Sequence, residues 1–465
     1  MRVRPILAVA TKSCARQWLS QTFLGSPKRS RVGGSSDSPN IKFGFLLIVL
    51  LWGTQGVIYA LDANALNADE STLFSGEHVS STSMSIEPME TFGDKRSVSF
   101  SGHLDSLTAY AVNRDWASGR GAFSSNLLSS YNQADLFLDV RLSKGMKLYT
   151  DASITSLPSA VSTASASTVA FDVKEMFVDF NVDKQLYIRS GKQFMQWGRT
   201  YFWNPVDFVN NSQRSFFNLD AVRAGIYGTR LNWPLGQSQN AYAFFDMTGA
   251  TNLTDLALLL RYEWLAGTSE WGLSVWNKYQ QVTRYGVDTS TQFLGSDLSG
   301  ELALSSGTNQ SVISGSTVAP IRDRWVLSST LGLSQTLNWE RPNRISVHEE
   351  VFYNGAAYYD NILADPLRYA LLTANNLYTA NQLSAWYGAA FVSIGDFPSH
   401  GNTFTFNVLQ NGVDASGVVS VGLSCQVVDG LVLNPSVAAY YGAANTEYLI
   451  SGYGLAFLMQ AVLTF

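Results

Sequence analysis

His348 and Glu350 are the residue pair in this 465-residue sequence whose types and spacing most directly allow chemistry. If they lie on a β-strand, both side chains point to the same face, because successive strand side chains alternate. An imidazole beside a carboxylate is able to bind a metal ion or to transfer a proton. The alternative, which we favour, is that both groups line a wet face of a sheet. The other histidines, His78, His103 and His400, are scattered along the chain.

Local motifs of known catalytic sites are absent from the sequence. It contains no Gly-x-Ser-x-Gly, no His-Glu-x-x-His and no P-loop. The Gly-Arg-Gly at residues 119–121 is too short to cradle a phosphate. We therefore expect no enzymatic activity, no catalytic residues, no cofactor and no metal site. A hydrolase whose site residues are scattered along the chain remains an alternative.

The composition argues against a soluble enzyme and against a nucleic-acid-binding protein. Only 14% of the residues are charged, against roughly 25% in an average soluble domain. The 12 Trp and 21 Tyr residues belong to the types that favour a membrane–water interface. The net charge of -5 does not provide the basic face that a nucleic acid requires.

An export signal is predicted near the N-terminus. Residues 43–52 form the longest apolar run, and a membrane-spanning helix needs about twice that length. Lys42 precedes the run and small residues follow it as far as Ala60, an arrangement typical of a secretory signal peptide. We expect cleavage near Ala60, with a buried core helix as the alternative. Either an upstream start codon chosen in error or a long n-region accounts for residues 1–40.

From Ser97 to the last residue, apolar and polar side chains alternate. Between residues 133 and 142, Leu136 shares one parity with other apolar residues, whereas Asp135 shares the other with polar ones. Each such segment has one apolar and one polar face, as expected for a strand between lipid and water. The turn at Gly145 joins two of these segments in a hairpin.

The candidate strands are about ten to twelve residues long, which suits a tilted crossing of a bilayer better than a soluble sheet. Because an open sheet edge would leave backbone groups unpaired in hydrocarbon, the strands must close. We predict an all-β, transmembrane, antiparallel up-and-down β-barrel of about 16 strands, within a range of about 14–18, over residues 97–465. Residues 1–60 are the N-terminal extension and signal peptide, and residues 61–96 a flexible periplasmic lead-in. A short loop helix is predicted around residues 367–377.

The end of the chain resembles an assembly signal. In residues 453–465, Tyr453, Phe457 and Phe465 belong to one apolar parity that runs to the terminus. An apolar alternating last strand that ends in Phe resembles the assembly signal of bacterial outer-membrane proteins. The resemblance implies recognition by the barrel-assembly machinery and a place in the bacterial outer membrane. An ordinary edge strand is the alternative.

A second resemblance lies in residues 189–207. Here Gly191-Lys192-Gln193 is followed by Trp197-Gly198 and then by Asn204-Pro205-Val206-Asp207. This order resembles a segment found in several families of large porin-like outer-membrane barrels, and it implies the architecture rather than a substrate. We expect residues 194–220 to form a long loop that folds into the pore, and packing on the barrel rim is an equal alternative. The Pro of the last motif fits a turn or a helix start.

The polar positions that we assign to the lumen carry both signs of charge. The candidate lumen and constriction residues are Arg189, Gln193, Trp197, Asp207, Arg223, Asp139, Arg141, Asp179, Arg261 and Glu263. The tyrosines expected on the same side are Tyr149, Tyr187, Tyr227 and Tyr242. Such charges either support neighbouring strands as cross-strand pairs or form a transverse field that orients polar solutes. Because the signs are mixed, no strong anion or cation selectivity is expected.

These observations favour a porin-like outer-membrane channel for the passive diffusion of small polar solutes. The expected partners are the lipid bilayer, the barrel-assembly machinery and the solutes themselves, without nucleic acid. A homo-oligomer is left open by the sequence. The alternatives are a transporter of hydrophobic substrates, a barrel hydrolase, and a structural or adhesive surface barrel.

Overall fold

The computed structural model describes residues 96–114, 126–142, 145–157, 168–209, 215–217 and 224–465. The expected signal peptide, its cleavage near Ala60 and the periplasmic lead-in all lie outside the described residues. So do His78 and Arg223.

Twenty strands account for most of the described residues, and all but two of them belong to one sheet. The strands are β1 (Ser97–Asn113), β2 (Leu127–Arg141), β3 (Lys147–Leu157), β4 (Thr168–Val182), β5 (Leu186–Gln193), β6 (Ile226–Pro234), β7 (Gln239–Asp246), β8 (Ala257–Ala266), β9 (Ser269–Lys278), β10 (Arg284–Phe293), β11 (Ser296–Ser305), β12 (Ser311–Ser314), β13 (Thr317–Pro320), β14 (Val326–Trp339), β15 (Arg341–Asn354), β16 (Trp386–Gly395), β17 (Asn402–Asn411), β18 (Gly417–Val428), β19 (Leu431–Tyr441) and β20 (Tyr453–Thr464).

The sheet is an antiparallel barrel of 18 strands. Each barrel strand pairs with the barrel strands before and after it in the chain, with β11 next to β14, and β1 also pairs with β20, which closes the ring. The remaining strands, β12 and β13, form a separate hairpin. The predicted antiparallel up-and-down barrel is therefore confirmed, with a strand number at the upper end of the predicted range.

The C-terminal residue takes part in closing the barrel. The Phe465 N–H donates to the Gly102 carbonyl oxygen at 2.9 Å, and the Gly102 N–H donates to the Phe465 carbonyl oxygen at the same distance. A Cβ on Gly102 would overlap the Phe465 ring, so the glycine leaves room for this ring at the seam. The apolar last strand thus completes the wall that the first strand begins.

The alternation of the sequence becomes two faces of the barrel wall. Phe100 and Phe171 point outward and are 65% and 69% exposed, whereas Asp135 points inward and is fully buried. At Lys174, an extra residue in β4 forms a bulge that resets the alternation. Tyr227, expected in the lumen, instead points outward and is 54% exposed. That assignment was wrong because strand parity cannot be carried across the long connection before β6.

The two ends of the barrel have different connections. At one end the strands are joined by tight turns, such as the one in which Asp183 and Lys184 adopt positive φ angles of 51° and 56°. At the other end lie long segments, including residues 306–325 and 355–385. The second of these contains helix α1 (Pro366–Ala374), which confirms the predicted loop helix. No helix in the described residues has the length and apolar character to cross a membrane.

Candidate functional site

The segment after β5, residues 194–209, folds into the interior of the barrel, and we call it the inner loop. Its residues Met195, Thr200 and Val206 are at most 1% exposed. Gln193 ends β5 and is itself fully buried, with its Nε2 donating to the Gly228 carbonyl oxygen at 3.1 Å. The inner loop therefore lies inside the barrel rather than on its rim. The expected continuation of this loop to residue 220 falls largely outside the described residues.

Glu301, an inward-facing residue of β11, holds the first half of the inner loop. Its Oε1 accepts the Arg199 N–H at 2.5 Å, the Thr200 N–H at 2.9 Å and the Thr200 hydroxyl at 2.8 Å. Its Oε2 accepts the Val206 N–H at 3.2 Å. Hydrogen bonds to a charged acceptor are stronger than neutral ones, so this single carboxylate fixes much of the loop backbone.

Glu350, an inward-facing residue of β15, holds the next part of the loop. Its Oε2 accepts the Phe202 N–H at 2.9 Å and the Trp203 N–H at 3.1 Å. The Tyr201 N–H donates to the other oxygen of the same carboxylate. We call Glu301 and Glu350 the latch carboxylates, because each satisfies backbone donors that would otherwise be buried without partners.

The positions of the latch carboxylates in the wall show that the inner loop crosses the lumen. The loop leaves the barrel from β5, whereas Glu301 stands on β11 and Glu350 on β15. In the 18-strand ring, β5 and β15 lie on nearly opposite sides. A loop that starts at one wall and binds carboxylates on the other must span the space between them.

Aromatic packing supports the same crossing. The Trp203 ring stacks on Phe352 of β15 with centroids 5.4 Å apart, and Phe202 lies 5.4 Å from Phe391 of β16. The Trp203 Nε1 also donates to the Asn381 carbonyl oxygen at 3.0 Å, which ties the inner loop to residues 355–385. Aromatic rings therefore pack around the part of the inner loop that Glu350 holds.

The pair His348 and Glu350 serves this anchoring rather than an isolated reactive site. The two side chains do share the inward face, as the sequence predicted. The His348 Nδ1 lies 2.8 Å from the Ser334 hydroxyl, and its ring stacks on Tyr201 of the inner loop with centroids 4.3 Å apart. No group of three or more His, Cys, Asp or Glu side chains in the described ranges is arranged to hold a metal ion.

The residues of the second sequence motif have distinct structural roles. Gly198 adopts a φ of +126°, and a Cβ there would overlap the carboxylate of Glu301. Asn204 and Asp207 close a turn in which the Asp207 N–H donates to the Asn204 carbonyl oxygen at 3.1 Å, with Pro205 at the favoured second position. The residues of this motif therefore allow the inner loop to fold against the opposite wall.

A charged cluster lies on the lumen face of β8 and β10 beside the inner loop. Arg261 donates to both oxygens of Asp288, at 2.6 and 2.8 Å, and to Glu263 at 2.7 Å. Arg199 of the inner loop donates to the same Asp288 at 2.8 Å. The guanidinium of Arg261 also lies 5.8 Å from the centre of the Trp197 ring. The structure thus brings the predicted residues Arg261, Glu263 and Trp197 together.

The predicted site residues on strands β2, β4 and β5 lie elsewhere in the lumen. Arg189 and Asp179 form a two-bond ion pair across β4 and β5, with distances of 2.7 and 2.8 Å. Asp139 pairs with Lys147 at 3.1 Å and with Arg141 at 3.5 Å, closer to the end with tight turns. These pairs support neighbouring strands, as one of the two sequence interpretations expected.

Sequence reasoning missed Arg199, Asp288 and Glu301, and it did not recognise Glu350 as an anchor. Alternation placed Glu301 and Asp288 on polar faces but gave no reason to single them out. Arg199 follows Trp197-Gly198 directly, so its position beside the motif was the available signal. Arg199 also pairs with Glu270 of β9, which makes it a further link between the inner loop and the wall.

A further buried carboxylate, Glu447, ties the long segments together at their end of the barrel. It accepts the Tyr387 hydroxyl and the Asn411 Nδ2, both at 2.7 Å, and the Asn381 N–H at 2.9 Å. Burial raises the pKa of Glu447 to about 7, against the hydrogen bonds that lower it. Because Asn381 also accepts from Trp203, this cluster is connected to the inner loop.

Comparison with known proteins shows the fold. No family model matches the chain, and no curated protein matches its sequence. Among solved structures, OccK8 (OprE) of Pseudomonas aeruginosa is similar with a TM-score of 0.50 and 9% identity, covering 79% of this chain and 98% of that one. OccAB1 of Acinetobacter baumannii is similar with a TM-score of 0.50 and 12% identity, covering 82% and 99%. The chain therefore shares the large barrel fold of these structures.

Proposed function

We propose that this chain is a bacterial outer-membrane channel through which small polar solutes diffuse passively. The observation that carries the proposal is the inner loop, residues 194–209, pinned across the lumen of a closed barrel by Glu301 and Glu350. An apolar outer face suits a bilayer, and a polar inner face suits water. A loop fixed inside such a lumen narrows the path and selects solutes by size.

The charged cluster beside the inner loop gives this path its chemistry. Arg199 and Arg261 are bound to Asp288 and Glu263 in one part of the wall, where Arg261 and Asp288 are almost fully buried, whereas Glu270, which Arg199 also contacts, is exposed. Paired charges in the wall of a narrow aqueous path create a local field in which dipolar solutes orient. We therefore expect a preference for small polar solutes over apolar ones of the same size, without strong selectivity for one ion sign.

Proteoliposome swelling with a graded series of sugars tests this function. We expect rapid swelling with arabinose and glucose and progressively slower swelling with disaccharides and trisaccharides. Empty liposomes and heat-denatured protein are the controls for leakage. Swelling that is equally slow for all sugars, from protein shown to be folded, would contradict a diffusion channel.

The packing of the lumen favours a second candidate, a surface barrel with a closed interior. A buried aromatic cluster lies on the inner side of the barrel wall and includes Phe202, Trp203, Phe352, Tyr387 and Phe391. If this cluster together with the inner loop fills the lumen, the protein would bind a partner at the cell surface and conduct nothing. Folded protein that gives no solute flux but binds to a cell or matrix surface would favour this candidate.

We also propose that residues 1–60 direct export and that residues 61–96 form a periplasmic lead-in. The support is the apolar run at residues 43–52 and the small residues up to Ala60. N-terminal sequencing of the protein recovered from outer-membrane fractions tests both parts. A mature protein that begins far from residue 61, or one recovered from the soluble fraction, would contradict them.

A further inference from the structure

Three neighbouring hairpin tips at the tight-turn end of the barrel carry exposed leucines. Leu235 follows β6, Leu265 lies near the end of β8, and Leu294 joins β10 to β11. Leu265 is 49% exposed and Leu294 is 82% exposed. The Leu265 N–H donates to the Ser238 carbonyl oxygen of the first tip at 2.9 Å, and pairing of β9 with β10 places the third tip beside the second. We call Leu235, Leu265 and Leu294 the apolar tips.

Contact with lipid does not account for the apolar tips. Leu265 follows Glu263 by two residues on β8 and therefore shares its lumen face rather than the outer face. Leu294 opens a two-residue turn with a φ of 53°, a conformation that favours Asn, Asp or Gly over leucine. Other tips at this end carry polar residues at positive φ, among them Lys184 and Glu340. A leucine in a strained and water-exposed turn indicates a binding surface.

The chain has an apolar pair of residues that can reach this surface. β1 begins at Ser97, which pairs with Arg141 at the tight-turn end, so the preceding residues join the wall at the same end. Leu73 and Phe74 lie between polar residues, and Phe74 precedes Ser97 by 23 residues. A coil of that length spans roughly 25 Å on average and about 70 Å when extended. A barrel of 18 strands is roughly 35 Å across, so the whole rim is within reach.

From this reach and the position of the tips we propose that residues 73–74 dock on the apolar tips. Strands β8 to β11 lie nearly opposite β1 in the ring, so the docked segment crosses the mouth of the barrel on the side of the short turns, the periplasmic side. The tether holds the segment at a millimolar local concentration, so a small apolar contact is enough. The inference rests on the proposed lead-in, residues 61–96, and not on solute flux.

The charges on the two sides give this contact a distinct salt dependence. Glu270 pairs with Leu265 in the ladder, and Asp297 lies just after the turn at Leu294; both carboxylates are exposed. Residues 61–96 contain seven Asp and Glu residues against one Lys and one Arg. Salt screens the repulsion between these groups, whereas it does not weaken the burial of leucine and phenylalanine. We therefore expect the docking to strengthen as the salt concentration rises.

Photo-crosslinking of the full mature chain tests the docking. The photoreactive residue p-benzoylphenylalanine replaces Phe74, and crosslinked peptides of the folded protein in phosphatidylcholine vesicles are mapped by mass spectrometry. We expect crosslinks to peptides that contain Leu265 or Leu294, with a yield that rises with salt. A mixture of isotope-labelled and unlabelled protein shows whether the crosslinks form within one chain.

The double variant Leu265→Asn with Leu294→Asn removes two apolar side chains, while asparagine suits the turn at position 294. We expect the crosslink yield to fall at least about tenfold, because burial of one leucine already favours a bound state by about that factor. Glu340→Asn, a change at another tip residue with positive φ, is the matched control and should leave the yield unchanged.

Crosslinks to lipid alone, to another copy or to another part of the barrel would overturn the proposal, as would a yield that survives the double variant. An intact mass that shows a mature chain without residue 74 would overturn it together with the proposed lead-in. A lack of solute flux, by contrast, would contradict the channel function and leave the docking in place.

Discussion

Replacing Glu350 by alanine should release the inner loop from the opposite wall. The carboxylate accepts three consecutive backbone N–H groups, those of Tyr201, Phe202 and Trp203. In the Glu350→Ala variant these donors lose their acceptor while the barrel ladder, which uses only backbone atoms of β15, stays intact. The expected consequence is a loop that leaves its crossing position and a wider path through the lumen.

The size of the effect follows from the number of donors. A buried donor left without an acceptor costs about 1–3 kcal/mol. Three of them give at least about 3 kcal/mol, which raises the population of the released loop by a factor of at least about 100. Single-channel recording and liposome swelling measure this as a larger conductance and as entry of sugars that the unaltered protein excludes.

Glu349 provides a matched control on the same strand. It pairs with Leu333 and Ala390 on the outward face, next to Val351, which is 44% exposed. Glu349→Ala should therefore leave conductance and sugar exclusion unchanged. The reasoning is refuted if Glu350→Ala, shown to be folded by its heat-modifiable migration, keeps the conductance and size limit of the unaltered protein.

Three further predictions concern the loop, the cluster and pH. Gly198→Ala should also widen the path, because the added Cβ would overlap the carboxylate of Glu301. The control is Gly236→Ala, since Gly236 also has a positive φ but has open space around it. Equal effects of the two variants on sugar exclusion would argue against the overlap. Arg199→Gln leaves the carboxylates around it less compensated, so the reversal potential in a KCl gradient should shift toward cation preference, whereas an unchanged or opposite shift would contradict this. Glu447 has an ordinary pKa of 4.5 that burial raises to about 7. The contribution of protonated Glu447 to the stability of the folded state is therefore fully present below about pH 4.5 and is lost as pH rises through about 7. The free energy of unfolding changes by at most about 3 kcal/mol over this range. Amide-exchange protection of the long segments, corrected for intrinsic rates, should fall over this range, and Glu447→Gln should flatten it; protection that grows with pH would be inconsistent with this.

The barrel was readable from the sequence because its rule is local. Parity alone predicts that Leu136 and Asp135 lie on opposite faces of the wall. The residue types at Asp183 and Lys184 predict the turn between two strands. The sequence predicted the strand number only as a range, because alternation does not mark strand ends within segments such as residues 355–385. The orientation of Tyr227 was lost for a related reason, because parity restarts after each long connection.

The contacts of the latch carboxylates with the inner loop could not be predicted from the sequence, because they depend on closure of the whole ring. Glu301 lies about 100 residues from Thr200 and Glu350 nearly 150 from Trp203, and the pairs meet only once the strands between them are in register. The same holds for Arg199 and Asp288, which are 89 residues apart. Motif resemblance pointed to the right segment, but the partners of that segment are set by barrel geometry.

Current across a planar lipid bilayer tests the central claim most directly. Purified, folded protein added to one side should produce discrete upward current steps of uniform size that scale with salt concentration. A bilayer that stays silent after verified insertion of folded protein would contradict the account of an open lumen narrowed by a pinned loop.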